Sequence, residues 1–345
     1  MISHPNFVGP LAPLVRLRRG QGKSVVLVEV DQLYDEYNFG ERSPYAIRDL
    51  LKTATGRWQN KPKYLLLVGD ASVDPRNYLG FGFFDFVPTK IILTSELKTA
   101  SDDWFSDFAS SGLPQIATGR LPVRTTDEAN TVVGKTINYE RGHDRGDWTD
   151  QSLLVADRND TSDFSQDSRS VQALLPKSMT VPDVFASDLD PNTARQEILA
   201  GINSGKLLVN YIGHGSVEIW SGDDLLDNTA ASTLSNGARL PLFLVMDCLN
   251  GFFHDVYTQS LAEALLLSKN GGAVAVWASS GLTQPEPQVQ MDRNVVRLLF
   301  SKPSLTLGEA VRNAKSTITD PDVRRTYILF GDPTLRLRTS PSASQ

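Results

Sequence analysis

The residues whose types and setting could do chemistry are one cysteine, Cys248, and a histidine held between two glycines, Gly213-His214-Gly215. A thiolate nucleophile with an imidazole base is a well-known pairing for acyl transfer. Each residue closes an apolar run. Leu207-Leu208-Val209-Asn210-Tyr211-Ile212 leads into Gly213-His214, and Leu242-Phe243-Leu244-Val245-Met246-Asp247 leads into Cys248. Short apolar runs bounded by turn residues predict strands buried on both faces, hence a parallel sheet. In open parallel sheets chemistry gathers just beyond the carboxyl ends of the strands. His214 and Cys248 are 34 positions apart, room for one crossover between neighbouring strands. The thiol must ionise to react, and a nearby imidazole is expected to lower its pKa and speed its alkylation. The amide N–H groups of Gly215 and Cys248 form a natural pair of donors for a tetrahedral oxyanion.

Bland readings compete with these. A lone cysteine on an apolar strand is more often a small buried hydrophobe, and it is the pairing with Gly-His-Gly that favours a nucleophile. His254, six positions beyond Cys248, is the rival base, expected near the start of the following helix and pointing outward. His4 and His143 lie in polar, irregular stretches. Asp247 precedes the nucleophile, but strand alternation turns it to the opposite face, which makes it structural.

The elements that must position the pair follow from pattern. Further strands are predicted over 24–30, 64–68, 116–118, 153–156, 273–278 and 327–330. Helices are predicted over 43–51, 126–139, 164–175, 192–203, 257–268, 292–300 and 307–318. Ser43 reads as a helix N-cap followed by Pro44, and Thr126 as a cap with Glu128 in the first turn. Alternating strands and helices give an α/β chain in two α/β subdomains around a mostly parallel sheet. The polar stretch 141–150 sets the division: an N-terminal α/β subdomain over 1–145, a catalytic subdomain over 146–338 and a disordered tail over 339–345. The irregular stretch 73–111 is long enough to be a functional loop.

Composition narrows the class. Hydrophobic residues are 40% and charged residues 21%, ordinary for a globular protein. The formal net charge of −6 argues against a nucleic-acid footprint. No apolar run approaches the roughly 18 residues that span a bilayer. The N-terminus lacks a charged region followed by an apolar one, so no signal peptide is visible. A single cysteine makes no internal disulfide.

The motifs Asn210-Tyr211-Ile212-Gly213-His214-Gly215-Ser216, with Glu218 and Trp220 behind it, and Asp247-Cys248-Leu249-Asn250-Gly251-Phe252 resemble those of gingipain-type cysteine peptidases, family C25. Leu67-Val68-Gly69-Asp70, Gly119-Arg120-Leu121-Pro122 and Phe330-Gly331-Asp332-Pro333-Thr334-Leu335 add to the resemblance, which covers nearly the whole chain. It implies a caspase-like three-layer sandwich and a cysteine endopeptidase working through a Cys248–His214 dyad and a thioester, on a protein or peptide substrate. It also implies an acid from the first lobe's long loop beside the histidine. Asp74 is the choice there, with Asp85 and Glu96 as alternatives. Asp102 resembles the pocket acid of arginine-specific members, which implies a preference for Arg or Lys before the cleaved bond. The alternative is that Asp102 caps a helix or, with Asp103, holds a structural calcium. Ser279 and Gln284, in the loop 279–288, are expected to wall the substrate pocket. The chemistry itself needs no metal or organic cofactor. Many members are exported and continue into further domains, which implies secretion or the cell surface and a longer full-length protein. Two rivals stand beside the endopeptidase: a secretion-associated transpeptidase, in which an amine resolves the thioester, and an inactive binding module.

Overall fold

The structure, a computed structural model, describes residues 1–142 and 146–339. The first lobe holds strands β1 (Ile2–Ser3), β2 (Val28–Glu29), β3 (Tyr64–Val68), the hairpin β4 (Lys90–Leu93) and β5 (Lys98–Ser101), and β6 (Ala117–Leu121). Its helices are α1 (Val8–Gly20), α2 (Val30–Asn38), α3 (Pro44–Arg57) and α4 (Thr126–Arg141). The second lobe holds β7 (Ser152–Ala156), β8 (Asp183–Phe185), β9 (Leu208–Ile212), β10 (Gly215–Ser216), β11 (Ile219–Trp220), β12 (Leu226–Asp227), β13 (Leu242–Met246), β14 (Ala275–Ser279) and β15 (Tyr327–Phe330). Its helices are α5 (Phe164–Gln172), α6 (Pro191–Asn203), α7 (Asn228–Ser232), α8 (Leu261–Leu267), α9 (Pro285–Ser301), α10 (Leu307–Lys315) and α11 (Pro321–Thr326).

Ten strands join in one sheet in the order β2-β1-β3-β6-β15-β14-β13-β9-β7-β8. Every pairing in it is parallel except β14 with β15. The expected mostly parallel sheet between helical layers is therefore present. The central strands are buried on both faces, and successive side chains alternate between two cores. Val209, Tyr211, Phe243 and Val245 pack with α1, α4, α6, α7 and α8 on one face. Leu208, Ile212, Leu244 and Met246 pack with α5, α9 and α10 on the other. The segments that follow β3 and β6 meet the segment that follows Cys248: the Val73 amide donates to His254 O (2.9 Å), and Arg124 pairs with Asp70 and approaches Glu263 at the start of α8.

Several boundaries differ from the sequence reading for local reasons. The first strand shrinks to Val28–Glu29 because Val30 opens α2. Ile2–Ser3 pairs with β3, and a helix carrying Pro13 follows it, neither of which periodicity revealed. Thr125, not Thr126, caps α4, with the reciprocal Glu128 bond of a capping box. The same device at Ser260 and Glu263 delays α8 to Leu261. The stretch 73–111 contains the β4–β5 hairpin. β15 comes from near the end of the chain yet lies between β14 and β6, so one sheet runs through both lobes. Residues 143–145, at the expected boundary and including His143, and the tail from 340 to 345 lie outside the described residues. Among the described residues no helix is long and apolar enough to cross a membrane.

Candidate active site

β9 and β13 are neighbours in parallel register, with Ile212 opposite Met246. Carried two residues on, that register sets His214 level with Cys248. The amide of Gly213 donates to Met246 O (3.2 Å) and keeps the two chain ends together just past the strands. Both glycines flanking His214 are demanded by space. A Cβ on Gly213 would overlap Asp157, and one on Gly215 would overlap the Asp247 carboxylate and come within 2.9 Å of Cys248 O. The backbone of Gly215 therefore lies directly against the nucleophile's own peptide.

The donors for an oxyanion are laid out by the same backbone. The Cys248 amide has no acceptor among the described residues. Ser221 N–H donates to His214 O (2.9 Å), closing one rung of the β10–β11 ladder. Rungs alternate in an antiparallel pair, so the next pair, Gly215 opposite Trp220, is of the non-bonded kind. The Gly215 amide thus points off the free edge of β10. Leu249 takes φ of 67°, a left-handed turn straight after the nucleophile that ends the strand direction abruptly. Asn250 Nδ2 donates to Ile219 O (3.3 Å) and to Ser216 O, binding the Cys248 turn to the His214 hairpin.

The two reactive side chains are docked apart. The Thr283 amide donates to Cys248 Sγ (3.4 Å), and the thiol reaches Thr283 O at 3.6 Å. Gln288 Nε2 in turn donates to Thr283 Oγ1 (2.6 Å). Burial pushes the thiol pKa up, and Asp247 adds to that against the downward pull of the Thr283 contacts. The thiol of this state is not in the ion pair with His214 expected from sequence. No hydrogen bond joins it to the imidazole. The His214 side chain is 61% exposed, and its Nε2 lies 2.8 Å from Asp160 Oδ2. The Phe164 ring meets it edge-on at 5.2 Å. Asp160 itself is held below its ordinary pKa by the Ser162 amide first and by His214 second. The backbone of His214 is fixed from both sides: its N–H donates to buried Asp157 (3.1 Å), and Tyr211 O–H donates to its carbonyl (2.6 Å).

The other expected site residues fall elsewhere. The Asp74 carboxylate accepts from the amides of Tyr78 (2.9 Å) and Leu79 (2.7 Å) in its own loop. Asp85 accepts from the Ser72 amide and is pushed up to about 6 by burial. Glu96 is exposed on the β4–β5 turn. Asp102 is engaged within the fold. It pairs bidentately with a guanidinium, but that of the chain's own Arg120 (2.6 and 2.8 Å), and it also accepts from Thr89 (2.8 Å). Asp103 pairs with Lys315. Both acids are therefore committed to cationic side chains. Among the described residues no group of three or more His, Cys, Asp or Glu side chains is gathered to hold a metal. Ser279 is fully buried and turns back onto Gly281 O (3.0 Å), so it offers substrate no surface. Gln284 is exposed at the N-cap of α9, next to Thr283, whose amide meets the thiol.

His254 is buried, not outward-facing. Both its nitrogens lack partners among the described residues, and its ring lies 4.0 Å from Phe252. Burial depresses its pKa to about 3, with Arg120 adding to the effect, so it stays neutral. Asp247 is buried without hydrogen bonds to its carboxyl oxygens, and burial then Asp157 raise it well above the carboxylate range. Asp157, Asp160 and Thr283 were not singled out from sequence. Asp157 had a visible signal: it directly follows β7, which pairs with β9 so that Ala156 stands opposite Ile212.

The sequence model of peptidase family C25 matches residues 1–338. Gingipain R2 of Porphyromonas gingivalis is 26% identical over 316 residues, covering 85% of this chain and 40% of that protein. Gingipain R1 of the same organism is equally similar, with 30% of its length covered. An uncharacterized protein of Archaeoglobus fulgidus is 23% identical over 327 residues, with 82% of this chain and 74% of its own covered. The chain thus spans well under two thirds of the gingipains it matches. The crystal structure of the Arg specific cysteine proteinase gingipain R superposes with a TM-score of 0.83 at 22% identity, covering 98% of this chain and 77% of the other. That likeness establishes the caspase-like fold.

Proposed function

The chain belongs to peptidase family C25, and on that footing we propose that it is a cysteine peptidase with Cys248 as nucleophile and His214 as general acid and base. The observation that carries the reading is the β9–β13 register, which sets His214 level with Cys248. The free amide of Cys248 and the outward amide of Gly215 support an oxyanion hole beside the thiol.

In this mechanism the His214 imidazole swings from Asp160 toward Cys248 when a peptide enters. It takes the thiol proton as Sγ attacks the peptide carbonyl. The two amides hold the oxyanion. His214 then gives the proton to the leaving amine, and a thioester remains. Water, deprotonated by His214, attacks the thioester, and the thiol recovers its proton. Asp160 orients the imidazole, the role expected of Asp74 from sequence. Gingipain R is an Arg specific cysteine proteinase, and we propose for this chain a preference for Arg before the cleaved bond. Asp102 is not its basis, because Arg120 already occupies that carboxylate. Cleavage of a peptide library by the wild type, with loss in Cys248→Ala and in His214→Ala, tests the reading. Equal activity in either variant contradicts it.

A further inference from the structure

The loop between β3 and the β4–β5 hairpin carries an apolar face that nothing in the fold covers. Tyr78 is 78% exposed, Leu79 54% and Phe81 52%. Tyr257, 69% exposed, comes from the segment after Cys248 and meets Phe81 edge-on at 4.9 Å. Apolar side chains on a slack loop would fold inward to leave water. Here the backbone prevents it. The Asp74 carboxylate grips the Tyr78 and Leu79 amides, and Asn77 Oδ1 accepts from the Gly82 amide (2.9 Å). Gly80 and Gly82 take positive φ of 77° and 123°, which turns the chain between the rings. A buried acid therefore keeps an apolar face open to solvent, an arrangement that lowers the ordering cost of binding.

The face is continuous with the catalytic loops. The Val73 amide donates to His254 O (2.9 Å), joining it to the segment that follows the nucleophile. Thr258, next to Tyr257, donates to Glu218 Oε2 (2.6 Å), and the Leu261 amide donates to Val217 O (2.8 Å). Val217 and Glu218 are the turn of the hairpin that His214 opens. Tyr257 lies nine residues beyond Cys248, so the face is reached within ~32 Å of chain from the nucleophile.

We propose that Tyr78, Leu79, Phe81 and Tyr257 form a distal subsite for a bulky apolar or aromatic side chain of the polypeptide being cleaved, several residues from the cleaved bond. The proposal rests on the peptidase reading above. Its test uses the full chain and internally quenched peptides that share one cleaved sequence. They carry Phe or Ser at each position three to seven residues away, on either side. The expected kcat/KM is about tenfold higher for Phe at one or two adjacent positions. That ratio falls to near one in the Phe81→Ser, Tyr257→Ser double variant at unchanged melting temperature, and it falls also in Asp74→Asn. Cleavage with a wild-type ratio near one at every position overturns the subsite and leaves the peptidase standing. A ratio retained in the double variant overturns it as well. No cleavage of any peptide overturns both.

Discussion

Asp102→Asn separates a structural acid from a substrate-reading one. The Arg120 guanidinium is fully buried and makes five hydrogen bonds: two to Asp102 and three to the carbonyls of Gly69, Val87 and Pro88. Asp102 is the carboxylate in direct contact with it. Removing one charge of a buried pair costs about 3–5 kcal/mol, because the other is left uncompensated. Asn keeps the volume and one acceptor, which places the loss near the lower end, about 3 kcal/mol. Unfolding entropy near 2.1 cal/mol/K per residue, over a chain of 345 residues, comes to about 0.7 kcal/mol/K. The melting temperature should therefore fall by about 4 °C. Adding Arg120→Met should recover part of the loss, since the orphaned charge leaves with its partner. The assay is thermal unfolding at neutral pH beside cleavage of matched Arg and Ala peptides. An unchanged melting temperature with selective loss of cleavage after Arg would refute the structural role and restore Asp102 to the substrate pocket.

Asp160→Asn should lower kcat by about tenfold with little change in KM, as loss of an orienting partner does; a matching loss in Asp74→Asn confined to kcat would point to the first-lobe acid instead. Cys248 in the free enzyme should react with iodoacetamide at neutral pH more slowly than a model thiol and almost equally in His214→Ala, because burial raises the thiol pKa and the thiol is docked on Thr283. Faster labelling that depends on His214 would show a resting ion pair. His254→Phe should stabilise the protein increasingly as pH falls. The native imidazole resists protonation down to about 3, whereas the unfolded one gains a proton below about 6.5. Wild-type stability thus drops through that window, by about 2 kcal/mol at pH 5. A melting-temperature gap that does not widen between pH 7 and pH 5 would argue against a neutral buried imidazole.

Much of the architecture was written in local pattern. The apolar runs ending at His214 and Cys248 specify both strands, and alternation within them sorts Val209 and Tyr211 from Leu208 and Ile212. What the pattern lacked was direction. Nothing in the β15 segment announces that it runs antiparallel to β14. That single reversal seats β15 between β14 and β6 and joins the two lobes in one sheet. The fate of Asp102 was equally non-local, since its partner Arg120 lies 18 positions on in a segment that reads as an ordinary strand. His254 shows the third kind of miss. Its burial depends on Phe252, Phe253 and the long-range approach of the Val73 loop, none of which its polar sequence neighbours suggest.

A peptidyl acyloxymethyl ketone offers the thiol a carbonyl and a leaving group inside the substrate cleft, and the chain has one cysteine to receive it. Intact mass should be measured after incubation with such ketones carrying Arg, Lys, Leu or Phe beside the reactive carbon. A Cys248–His214 peptidase gives one adduct per chain, mapped to Cys248, and forms it far more slowly in His214→Ala. No adduct with any of the four, or an equal rate without His214, would contradict the dyad.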